Sequence, residues 1–162
     1  MAEHLITVHT SLGLAAATTI TDAALRLRRE YGLLPLAVMV LDAGGNVVSY
    51  RREDGCGLLR HDIAMGKAWA ALGMGMSTRQ IRDRLANRPT FQAALAAASG
   101  GRFIPTPGGV LILSAQGQAI GAVGISGDAS DKDEFCAIEA IRSAGLQADP
   151  DQPSPDWNDA GL

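Results

Sequence analysis

Aromatic residues are scarce in this chain: they make up 4% of its 162 residues, although 47% of the residues are hydrophobic. The apolar content is therefore mostly Ala, Leu, Val and Ile. That predicts a core of small pieces with close helix–sheet contacts. Cysteine is nearly absent as well. Cys56 and Cys136 lie far apart and share no metal-ligand spacing, so they read as buried or incidental thiols of a reducing compartment. No apolar run approaches the roughly 20 residues needed to span a membrane. The opening Met1-Ala2-Glu3-His4 lacks a basic region followed by an apolar one. These absences predict a cytoplasmic protein with no membrane partner. Fourteen basic and 17 acidic residues give a net charge of −3 without a basic stripe, which argues against nucleic acid as a partner.

What is present is a repeat. Val38-Met39-Val40-Leu41-Asp42-Ala43-Gly44-Gly45-Asn46 returns 72 residues later as Val110-Leu111-Ile112-Leu113-Ser114-Ala115-Gln116-Gly117-Gln118. Each copy is an apolar run, a polar Gly turn and the start of a second apolar run, the pattern of a β-hairpin. The first hairpin continues through Tyr50 and the second through Ile125. Two hairpins set among helical stretches predict one antiparallel sheet with helices packed on it.

Helical spacing of Leu12, Ala16, Ile20, Ala23 and Leu27 predicts a first helix, capped by Thr10 or Ser11 and running to about Tyr31. An Ala-rich helix is expected at about 59–75. A short one should follow from a Thr78 cap to Leu85, and another from Pro89 to Ala98. A last helix after Asp128 or Ser130 should end near Gly145. Phe103-Ile104 is a candidate short strand. The chain divides into a single domain over residues 1–147 and an Asp/Pro-rich tail over 148–162, expected as an extended arm.

Candidate chemistry clusters in three places. On the 59–75 helix, Lys67 falls on the same face as Ile63, Ala64 and Ala71, one heptad after Arg60. A lysine so placed either snorkels to water or meets an anion. On the last helix, Asp131 and Glu134 share the face of Ile138 and Ile141. They either complement the helix dipole or place a carboxylate at a pocket mouth, opposing Lys67 or accepting a proton. Gly108-Gly109 opens the second hairpin and lets backbone N–H groups approach a ligand. It lacks the spacing of a phosphate-binding loop. His4, His9 and His61 have no ligand-like spacing, no protein-bound metal site is indicated, and no Ser/His/Asp or Cys/His set assembles.

Taken in order, these motifs resemble the GlcG/HbpS-like family, which also supplies the C-terminal domain of PduO-type corrinoid adenosyltransferases. The resemblance runs from Val40-Leu41-Asp42-Ala43-Gly44-Gly45-Asn46-Val47-Val48 through Arg51, Asp54 and Gly55. It continues through Lys67-Ala68, Gly108-Gly109, Ile120-Gly121-Ala122-Val123-Gly124-Ile125-Ser126-Gly127, and Asp133-Glu134 with Cys136-Ala137. It covers about residues 8–146. It implies a profilin-like α/β (α+β) fold: an antiparallel sheet of about five strands with helices on both faces, assembled as a homo-oligomer. It also implies a small-molecule ligand, with haem among the ligands of some members, and a role as accessory to a catabolic pathway. This chain departs from the family at Leu58-Leu59-Arg60-His61, where Arg60 and His61 would tailor the pocket to a particular acid.

The expected function is thus binding of a small, anionic molecule by Arg60, His61, Lys67, Gly108, Gly109, Asp131 and Glu134. Haem, the possible cofactor, is expected to bind weakly or not at all, because no iron ligand stands out and few aromatics are available to sandwich it; if it binds, His61 is the first choice for its iron. Two alternatives stand beside this. One is an enzyme for a small carboxylated or carbonyl metabolite, with Lys67 as anion anchor and Glu134 as acid/base. The other is a non-catalytic oligomeric scaffold.

Overall fold

The computed structural model describes residues 4–162; Met1–Glu3, read above as part of the domain, lie outside the described residues. The order of elements is α1 (Leu14–Glu30), β1 (Ala37–Asp42), β2 (Val47–Arg52), α2 (Leu59–Met74), α3 (Thr78–Leu85), α4 (Pro89–Ala98), β3 (Gly109–Leu113), β4 (Ala119–Ser126), α5 (Ser130–Ser143), β5 (Gln147–Asp149) and a 3-10 turn at Trp157–Asp159. The five strands form one sheet in the order β2-β1-β4-β3-β5, antiparallel throughout.

The repeat seen in the sequence is a repeat of structure. Asp42 N–H donates to Asn46 O at 2.9 Å, and Ser114 N–H donates to Gln118 O at 2.9 Å. Gly45 and Gly117 hold equivalent turn positions with φ of +80° and +76°. Both hairpins shift register at the same point, at Val40/Leu41 and at Ile112/Leu113. The two hairpins then join side by side through β1 and β4, with Val40 opposite Val123.

Alternation of side chains sends the two sets of apolar residues to opposite faces. Val38, Val40, Val110, Ile112, Val123 and Ile125 face α1 and α5. Ala37, Met39, Leu41, Leu111 and Ala122 face α2, which answers with Ala64, Ala68 and Ala71. The second layer is thin because alanine meets glycine: a methyl at Gly124 would overlap the Ala64 carbonyl oxygen. Helices α3 and α4 extend this side through a small cluster of Ala70, Ile81, Leu85 and Phe103.

Several local expectations change. Helix α1 begins at Leu14 with Gly13 at its N-cap, because the Ser11 hydroxyl accepts instead from Ala43 N–H in the first hairpin turn, at 3.0 Å. Ser77, not Thr78, caps α3, in a capping box with Gln80. Phe103 is buried without joining a strand. The tail does not extend away. Residues 147–149 pair with β3, and Trp157 stacks on Phe135 at 3.6 Å. Burying an aromatic face on α5 outweighs the flexibility the Asp/Pro composition suggests.

The α2–β4 contact generates a stability prediction. Gly124→Ala should lower the free energy of unfolding by about 2 to 4 kcal/mol, because the close-packed layer must open. Gly73→Ala is the control. Its added methyl would meet only Trp69 atoms, at 3.9 Å, and it should be neutral or stabilising by up to about 1 kcal/mol. Urea unfolding of both variants checks this.

Candidate functional site

Lys67 neither snorkels nor stands free. Its side chain is buried between α2, β4 and α5, where Nζ donates to Ile125 O at 2.8 Å and to Asp133 Oδ2 at 3.0 Å. The other oxygen of Asp133 accepts from Asp128 N–H at 3.1 Å. The anion that meets Lys67 is therefore Asp133 of its own chain. This corrects the expectation that Lys67 offers its charge to a ligand and faces Glu134. Asp133 shares the buried stripe of Ala137 and Ile141 at helical spacing, a signal that could have singled it out. Burial pushes its carboxyl up to about 6, against the opposing pull of Lys67 and the Asp128 N–H. The contact joins the Lys67 ammonium as donor to the Asp133 carboxylate as acceptor.

Gly108 and Gly109 also do other work than expected. Gly108 has φ +116°, and a Cβ there would lie 2.9 Å from both Lys67 Nζ and Ile125 O. Glycine is needed to make room for the ion pair. Gly109 N–H donates to Thr78 Oγ1 at 2.8 Å, and the Thr78 hydroxyl donates to Gly109 O at 3.2 Å. The Gly109 N–H predicted to hold a ligand oxygen is satisfied within the fold.

Glu134 is different. It is completely buried, yet neither of its carboxylate oxygens has a hydrogen-bond partner among the described residues. Arg79 Nε approaches Oε1 to 3.4 Å, and Arg79 also donates from Nη2 to Gln152 O at 2.8 Å. Burial pushes Glu134 up to about 7; Arg79 opposes this and Asp131 adds to it. The charges of Asp131 and Lys67 both act on Glu134, Asp131 raising its carboxyl and Lys67 lowering it. Arg79 is the residue that the sequence reading missed. Exposed helices carry many arginines, and nothing in the local pattern distinguishes this one.

Arg60 and His61 lie at the start of α2. Arg60 Nη1 donates to Ser126 Oγ at 3.2 Å. The His61 side chain is 44% exposed, and its ring meets Tyr50 edge-on at 4.8 Å. Its Nδ1 lies 3.3 Å from Asp62 Oδ1. Leu58 and Leu59 beside it are exposed. Cys56 lies within electrostatic range of Tyr50 and Arg60. Burial pushes its thiol up, so it stays protonated at neutral pH.

With this geometry in place, comparison with known proteins identifies the class. Residues 12–142 match the family described as "Haem degrading protein HbpS-like", and the chain belongs to that family. Among relatives, it is 28% identical over 131 residues to an uncharacterized 15.0 kDa protein of the dhaT-dhaS intergenic region of Citrobacter freundii, covering 81% of this chain and 90% of that one. It is 27% identical over 129 residues to the corrinoid adenosyltransferase PduO of the same organism, but spans only 37% of that protein's length. Among solved structures, the PduOC:heme complex superimposes with a TM-score of 0.76 at 25% identity, covering 85% of this chain and 98% of that one. The ORFY protein of Klebsiella pneumoniae gives 0.76 at 27% identity, covering 90% and 97%. A double mutant of Streptomyces reticuli HbpS gives 0.67 at 27%, covering 89% and 90%.

Glu134 makes stability depend on pH with an unusual sign. Its folded value is about 7 against an ordinary 4.5, so between those values the folded state holds the proton more firmly than the unfolded chain. Stability from this group is therefore lost as pH rises through the window. We expect Glu134 to account for a loss of about 2 kcal/mol in the wild type between about pH 5 and about pH 8, with a smaller loss of the same sign from Asp133. Glu134→Gln should lose less than half as much. Denaturant titrations at both pH values check this; equal slopes in the two proteins would contradict it.

Proposed function

We propose that this protein binds a small molecule and that haem is one of its ligands, held at the surface around His61 in support of a catabolic pathway in the cytoplasm. The observation that carries the reading is the His61 imidazole. It is half exposed, with Nδ1 beside Asp62 and apolar surface from Leu58 and Leu59 alongside. Imidazole is a common protein ligand of haem iron. Arg60 and Arg52, whose charges reach Cys56 and Tyr50, suit the propionates. When bound, haem would supply redox and oxygen chemistry. The chain would supply the iron ligand, an apolar face and cations. A relative of this fold solved as a haem complex supports the same ligand. No helix among the described residues is long and apolar enough to cross a membrane.

The Glu134 cluster favours a second reading: an enzyme acting on a small carboxylated or carbonyl metabolite. A buried carboxyl near 7 with no hydrogen-bond partner among the described residues suits proton transfer. In this reading Arg79, rather than Lys67, anchors the substrate's anion, since Asp133 already matches the Lys67 charge.

Assembly as a homo-oligomer belongs to the proposal. Leu5, Ile6, Val8, Leu14, Val47, Leu58 and Leu59 are all exposed, and apolar area of this kind commonly marks an interface. Light scattering should give a mass above the 16.8 kDa of one chain; that mass itself at micromolar concentration would contradict assembly. Haemin titration should produce a shifted Soret band in the wild type. His61→Ala should weaken binding at least tenfold, about 1.4 kcal/mol. An unchanged spectrum on adding haemin to the wild type would overturn the haem reading. Identical titrations of wild type and variant would remove His61 from it.

A further inference from the structure

A cleft between α2 and α4 is used by neither the His61 surface nor the Glu134 cluster. It measures about 170 Å³ and is walled by Trp69, Gly73, Met74, Leu95 and Phe103, with Ser99 at its polar side. The sequence explains the space. Helix α4 is Pro-Thr-Phe-Gln-Ala-Ala-Leu-Ala-Ala-Ala, and none of its residues is fully buried. Opposite it, Gly73 has no side chain to fill the gap.

The size selects the ligand. An apolar cavity of about 150 Å³ stays dry and accommodates benzene, so this cleft has room for one six-membered ring. Trp69 lines the cleft and supplies aromatic surface for such a ring, with Arg102 over one face of its indole. Charge is supplied by Arg102, whose guanidinium stands 4.2 Å over the Trp69 ring. Its Nε donates to Ser99 O at 3.0 Å. Trp69 and Ser99 both line the cleft, so the guanidinium lies at its rim. Arg102 is exposed, and it appears in no ion pair with a carboxylate among the described residues. A rim guanidinium with free N–H groups suits a carboxylate bidentately.

We propose that this cleft binds a single-ring aromatic carboxylate, with the ring against Trp69 and the carboxylate on Arg102. An aliphatic acid of the same volume would forgo the aromatic contact. A fused bicyclic acid would exceed the space unless Trp69 swung toward the second cleft it borders, about 150 Å³ beside Gly44 and Gly45.

Benzoate is the probe, with benzyl alcohol (ring without charge) and acetate (charge without ring) as controls. Binding is read by ligand saturation-transfer NMR on the wild type. It is also read by fluorescence in a Trp157→Phe variant, where Trp69 is the one remaining of the chain's two tryptophans. Benzoate should bind at least tenfold more tightly than either control. Arg102→Ala should erase the preference for benzoate over benzyl alcohol. Ala98→Phe, placed on an exposed residue that lines the cleft, should abolish binding of both. Both substituted residues are exposed, and circular dichroism confirms that the variants fold. Absence of a benzoate signal on the wild type at millimolar concentration would overturn the proposal. So would benzoate binding that both variants leave unchanged.

Discussion

The ion pair between Lys67 and Asp133 is the constraint around which the rest of the structure is arranged. An ammonium taken into a sheet–helix interface is strongly disfavoured unless a charge and hydrogen bonds meet it there. Asp133 supplies the charge, Ile125 O a further acceptor, and Asp128 N–H completes the carboxylate. One side chain of α2 thereby ties together a helix, a strand and the helix on the opposite face. The geometry explains two glycines at once. Gly124 lets α2 descend far enough onto β4 for Lys67 to reach Ile125, and Gly108 leaves empty the volume that Nζ approaches.

With that charge matched inside the fold, the groups left unsatisfied or exposed lie elsewhere. Helix α2 presents three environments along its length. His61 opens outward at its start, Lys67 is sealed at its middle, and Trp69 and Gly73 border a cleft near its end. Glu134 is an unsatisfied carboxylate on the opposite layer, adjacent in sequence to the satisfied Asp133. Neighbouring carboxylates on one helix thus meet different fates. Asp133 accepts one hydrogen bond from Lys67 and one from Asp128 N–H; Glu134 finds a guanidinium at 3.4 Å and no hydrogen bond among the described residues. Membership of the HbpS-like family places these groups in a fold whose relatives include a haem complex.

Much of this was legible in the sequence, for a physical reason. The repeat at 38–46 and 110–118 encodes a hairpin through alternation and a positive-φ glycine, both local properties, and the two copies reproduce even the bulge. The helices expected at about 59–75, from a Thr78 cap to Leu85 and from Pro89 to Ala98 match α2, α3 and α4 to within a residue, because the Gly and Pro signals that bound them are also local. What local pattern does not carry is partnership. Lys67 was visible as a lysine on an apolar face, but its counterion lies 66 positions away, on a helix where Asp131 and Glu134 competed for the role. The Ser77 cap was missed because Thr78 fits a cap equally well by residue type. Only the tertiary bond to Gly109 draws Thr78 elsewhere. Arg79 was missed because its distinction lies in facing a buried carboxylate.

The central claim, that the Lys67–Asp133 pair holds the fold together and is not a ligand anchor, is tested most directly by a double-mutant cycle. Unfolding free energies of Lys67→Met, Asp133→Leu and the double variant would be measured at neutral pH. Each single change leaves a buried charge without its partner and should lower stability by about 3 to 5 kcal/mol. The double variant should be destabilised by well under the sum, with a coupling of at least about 2 kcal/mol. Single variants as stable as the wild type, with no coupling between the sites, would contradict the account.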